Sequence, residues 1–152
     1  VPRELVTTTV ELDGVSKQYA CPPLPPESAD TRQWIPLERP ESVSLQTTRR
    51  VPLGTLCGAR SGDKGGDANV GFWVRDISHY PWLCATLTKH WVREHLPEPF
   101  DGEIECYALP NIGALNFLLK GYLGAGVTAS VQLDAQAKFL GEQLRDVVVD
   151  AP

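Results

Sequence analysis

The sequence predicts an α+β sandwich: a mixed or antiparallel sheet with helices on one face, preceded by an extended Pro-rich arm. Three observations predict it. Several short runs alternate apolar and polar residues with period two, the mark of half-buried strands. Helical spacing appears in few places, too few to supply the crossover helices of a parallel sheet. Prolines crowd the first fifty residues, where neither a ladder nor a helix can continue through them.

Along the chain, Val6-Thr7-Thr8-Thr9-Val10-Glu11-Leu12 is β-branched and stops at Asp13-Gly14, a strand-and-turn signal. Residues 13–50 read as a linker or surface-hugging arm, polyproline-like around Cys21-Pro22-Pro23-Leu24-Pro25-Pro26. Trp34-Ile35 is its one local docking feature. From Val51 the pattern becomes compact. Residues 51–59 suggest a strand with glycines, and Val70 to Arg75 a second strand able to pair with it as a hairpin. Between them, residues 60–69 read as a long polar loop.

Ser78 is a helix cap with Pro81 allowed in the first turn. Tyr80, Leu83, Cys84, Leu87 and Trp91 then share one helical face, and Pro97 and Pro99 end the helix near residue 95. Residues 103–109 alternate as a strand. Residues 112–119 read as a short helix ending at Gly121 or Gly124, and 127–133 as another strand. Asp134 then caps a helix from Ala135 to about Asp146, and Val147-Val148-Val149 forms a last strand. This order of elements best fits a split β-α-β, ferredoxin-like layout.

Composition narrows the function classes. The chain has 152 residues, 42% hydrophobic and 22% charged, near the average for a soluble globular protein. No run approaches the roughly 18 apolar residues of a membrane span, and no polybasic patch exists. The formal net charge is -5, which argues against nucleic acid as a partner. Cys21, Cys57, Cys84 and Cys106 form no CxxC or CxxH pair, so no metal is expected. They read as reduced structural residues of a cytoplasmic protein. No cofactor is named by the residues. The chain begins Val1-Pro2-Arg3-Glu4 and contains no Met, so the expectation is a piece of a longer polypeptide.

The strongest chemical signal is Arg60-Ser61-Gly62-Asp63-Lys64-Gly65-Gly66-Asp67-Ala68-Asn69. Glycines let successive backbone N–H groups point at one spot. Ser61 adds a hydroxyl, Lys64 a cation, Asp63 and Asp67 carboxylates, and Asn69 both a donor and an acceptor. Such a loop binds an anion or seats a carbonyl between donors and an acid/base pair. It has neither Walker A nor GxGxxG spacing, and the same residue types also build ordinary turns. By residue type, Asp63 takes acid/base work and Lys64 oxyanion stabilisation. Gly62, Gly65, Ser61 and Asn69 complete the binding loop. Asn111 and Asn116 form a second candidate group, as a cap and a buried amide with a structural hydrogen bond. Asp134 and Lys138 form a third, spaced for an i,i+4 pair. Trp73, Trp82 and Trp91 read as core or interface residues.

Taken together, these segments resemble a known family. Ala59 to Gly65 with Ala68-Asn69-Val70-Gly71 resembles the opening signature of the AtuA-like ferredoxin-fold domain, found in the acyclic terpene utilisation protein family. Tyr107-Ala108-Leu109-Pro110, Ala114-Leu115-Asn116-Phe117-Leu118 and Leu133-Asp134-Ala135-Gln136-Ala137-Lys138 resemble its later blocks, in order. The resemblance covers about residues 51–149. The family usually has Gly where Ala137 stands, an exchange that favours a helix there.

The resemblance implies an accessory or C-terminal domain in the catabolism of terpenoids and branched acids, binding an acyl-CoA or carboxylate intermediate. It implies an upstream domain of the same protein as a partner, whose last strand residues 1–12 would supply. It does not name a reaction. The alternative is a non-catalytic assembly module that builds a homo-oligomer or docks the upstream domain, with Trp34, Trp73 and Trp82 as anchors.

Overall fold

The computed structural model describes residues 7–20 and 49–152. The chain divides into two units, Val1–Ile35 and Pro36–Pro152. In the first, β1 (Thr7–Leu12) pairs antiparallel with β2 (Val15–Ala20). Asp13 and Gly14 both have positive φ, 52° and 75°, which matches the twist of a two-residue hairpin. The start of the expected linker is therefore a strand. The Pro-rich segment and Trp34-Ile35 lie outside the described residues.

The second unit holds a short ribbon, β3 (Arg49–Pro52) with β8 (Val148–Ala151). Its main sheet has four strands: β4 (Cys57–Lys64), β5 (Asp67–Val74), β6 (Ile104–Leu109) and β7 (Ala114–Leu119). Their order is β4-β5-β7-β6, and every neighbouring pair is antiparallel. The helices are α1 (Tyr80–Thr86), α2 (Lys89–His95) and α3 (Leu140–Arg145). The α+β, ferredoxin-like expectation holds, with the sheet wholly antiparallel.

Register sorts the sheet into two faces. One carries Cys57, Val70, Phe72, Leu115, Phe117 and Leu119, all fully buried, with Ile104 beside them. Leu83, Leu87, Val92, Leu140 and Leu144 from the helices join the same core. Phe72 and Phe117 meet edge to face at 6.2 Å. At about 25 cal/mol per Å² of apolar area, this layer dominates the stability of the unit. The other face carries Gly62, Gly71, Asn69, Asn116 and Trp73; within residues 49–152 no helix packs on it.

Several local expectations change. The loop at 60–69 is mostly strand, turned at Gly65-Gly66, with Gly65 at φ 70°. The helix at 78–95 breaks at Leu87, where Thr88 caps a new helix by accepting from Trp91 N at 3.0 Å. Ser78 does not cap its start: Asp76 caps a 3-10 turn just before it (Ile77–His79), accepting from Ser78 N at 2.9 Å, and α1 has no side-chain cap. Residues 112–119 form β7 rather than a helix. Gly113, at φ 59°, turns the chain so that Ala114 pairs with Leu109, and Leu115, Phe117 and Leu119 then point into the core with period two.

The strand expected at 127–133 is a series of turns and bends, and Val131 and Leu133 are fully exposed. Helix α3 begins at Leu140, not Ala135, because Ala137 adopts φ 51°. That left-handed backbone cannot belong to an α-helix. Glycine adopts it freely, so the Gly usual in the family fits the turn, and Ala137 does not favour a helix as expected.

Candidate functional site

The predicted site residues fall into three groups. Strand alternation in β4 splits the loop motif: Ser61 and Asp63 face the helices, while Gly62 and Lys64 face the open side. Asp63 and Lys64 thus do not converge as an acid/base and oxyanion pair. Lys64 instead donates from Nζ to the carbonyl of Asp63 at 2.9 Å beside the exposed turn. Gly65 only shapes that turn.

The first group joins two sequence-distant motifs. Ser61 is 8% exposed. Its hydroxyl donates to the Lys138 carbonyl at 3.2 Å and accepts from Gly141 N at 2.8 Å. Asp134 organises the same segment. Its carboxylate accepts from Lys138 N at 2.9 Å, Phe139 N at 2.9 Å and Leu140 N at 3.0 Å. The expected Asp134–Lys138 ion pair is therefore replaced by a backbone cap that launches α3. A cleft of about 170 Å³ opens here, lined by Ala59, Arg60, Ser61, Lys138, Gly141 and Glu142. Glu142 is paired with Arg145 at 2.8 Å. Arg60 and Lys138 have no ion-pair partner among the described residues, so the free charge at the cleft is positive.

The second group lies on the open face. Asn69 Nδ2 donates to Asn116 Oδ1 at 3.1 Å. Nearby, Lys120 Nζ stands 3.5 Å from Asp67 and 3.9 Å from Glu105, and Tyr107 donates to Glu105 at 2.5 Å. That bond holds the Tyr107 proton and raises its pKa above the ordinary phenol value. Asn111 stands apart, in a 3-10 turn (Pro110–Ile112) at the end of the sheet away from the Gly65 turn.

A larger cleft of about 310 Å³ is lined by Tyr122, Glu98 and Asp134 among others. Burial, followed by the charges of Asp134 and Glu98, raises the Tyr122 pKa. It lacks a cation, so it suits an anion poorly. Among the described residues, no group of three His, Cys, Asp or Glu could hold a metal ion, and no helix is long and apolar enough to cross a membrane.

Sequence reasoning passed over Arg60, Gly141, Lys120 and Glu105 as site residues. Strand parity in 57–64 could have set Ser61 on the helix side, but no local signal marked Arg60 or Gly141.

A family profile, the AtuA ferredoxin-like domain, matches residues 51–150, which hold both the Ser61 and the Asp134 segments. The chain belongs to the AtuA ferredoxin-like domain family. No curated protein and no solved structure matches it. In this AtuA ferredoxin-like domain, the matched region begins in β3 and ends in β8, so it takes in the ribbon, the main sheet and all three helices.

Proposed function

We propose that this domain is an accessory part of an acyclic-terpene-utilisation-type protein of the cytoplasm, and that it holds a carboxylate or acyl-thioester intermediate in the cleft between Ser61 and the 138–141 turn. The observation that carries the reading is the pair of unneutralised cations, Arg60 and Lys138, at the mouth of a cleft whose floor is a structured serine. A cation beside fixed backbone and hydroxyl dipoles suits a carboxylate or a polarised thioester oxygen.

Volume limits the ligand. Pockets that enclose drug-sized molecules run to roughly 300–1,000 Å³, so about 170 Å³ accommodates a short acid or the acyl end of a thioester, not a whole CoA. The remainder of such a ligand would lie across the surface or on the upstream domain. Asp63, held on the helix side two residues along β4, is the carboxylate closest in sequence to Ser61.

Calorimetric titration with short branched carboxylates and their CoA thioesters tests this. Binding that weakens about tenfold in Lys138→Ala and in Arg60→Ala, and persists in Lys64→Ala, is the expected result; a tenfold loss is about 1.4 kcal/mol. Binding lost in Lys64→Ala alone would move the site to the hairpin turn. A second reading, an assembly module, is favoured by the sheet face on which no helix packs within residues 49–152.

A further inference from the structure

The face of the main sheet on which no helix packs within residues 49–152 has a layout that matches itself. Its cation Lys64 lies on edge strand β4, while Glu105 lies on the opposite edge strand, β6. Glu103 extends that column, its carbonyl accepting from Lys120 N at 2.9 Å. Size is polarised as well. Gly58 and Gly62 line β4, whereas Tyr107 and Leu109 line β6. Trp73 on β5 lies over Gly58 and is 41% exposed, and its neighbour across β7 is the small Ala114.

We propose that two copies of this chain pack through this face, related by a twofold axis that lies in the interface and runs along the strands. Rotation about such an axis keeps each residue's height along the strand and exchanges β4 with β6 and β5 with β7. Lys64 then meets Glu103 of the second copy, and Asp67 meets its Lys120. At the other end the half-exposed Trp73, lying over Gly58, meets the second copy's Leu109. Each contact occurs twice, as an isologous interface requires. Aligned sheets pack at about 30°, which displaces the corner pairs by a few Å, within reach of Lys and Glu side chains. A second copy is favoured over another partner because one rotation brings opposite charges together at one end and the exposed Trp73 onto the exposed Leu109 at the other. The proposal goes beyond the cleft reading and does not depend on it, since the Ser61 cleft opens on the helix side.

Sedimentation velocity of the 152-residue chain over a concentration series tests it. The wild type is expected to show a monomer–dimer equilibrium. Gly62→Trp is expected to raise the dissociation constant at least about tenfold with an unchanged melting curve, because nothing lies within 4 Å of a Cβ at Gly62. Lys64→Glu and Glu103→Lys should each weaken the dimer several-fold, and the double variant should restore it. This charge exchange decides the matter even if Gly62→Trp folds poorly. A wild type that stays monomeric throughout, a dimer indifferent to Gly62→Trp, or a double variant no tighter than the singles would overturn the proposal.

Discussion

Ser61 shows how one hydroxyl can serve both structure and site. It bonds the 138–141 segment as donor and acceptor, and so fixes the wall of the cleft. Ser61→Ala leaves the buried Gly141 N–H without its acceptor, a loss of about 1–3 kcal/mol. Urea unfolding should show a lower midpoint with an unchanged slope; an unchanged midpoint would mean that the bond contributes nothing. Cys57 offers a second test. Its thiol is pushed up to about 12 from 9.0, chiefly by burial, while Arg75 and Arg145 pull it down. A raised folded pKa means that the folded state keeps its proton. Stability should therefore be unaffected below about pH 9 and fall as pH rises from 9 toward 12. Alkylation of Cys57 in the native chain at the rate of the unfolded chain would contradict this.

At the scale of elements, the turn before α3 is the informative case. A helix from residue 135 would make Ala137→Gly cost about 1 kcal/mol. A left-handed Ala137 removes that cost, since glycine adopts the conformation freely. The melting temperature of Ala137→Gly is thus expected to equal or exceed that of the wild type, and a clear drop would support the helix. The same turn shows what the sequence made legible. Strands with plain alternation, such as 103–109, could be read directly. So could the blocks that mark the family. Three things could not. Leu115, Phe117 and Leu119 sit among good helix formers, and only pairing with β5 and β6 makes them a strand. Gly, Ser and Asp in β4 resemble a loop locally, yet tertiary pairing overrides that preference. The alternation of Val127 to Leu133 found no strand to pair with among the described residues.

For the whole molecule, the two faces of the main sheet divide the labour. The helix side carries the core and, at its β4 edge, the cleft formed by two distant motifs. The open side carries the surface assigned to a second copy. Ligand binding and self-association are therefore expected to be separable by mutation. The most direct measurement is an amide NMR titration of the chain with a short branched carboxylate, with Lys138→Ala as control. The account predicts saturable shifts at Ser61 and Gly141 that vanish in the variant. Shifts clustered on the open face around Asn69 and Asn116, or no shift with any carboxylate or thioester, would contradict it.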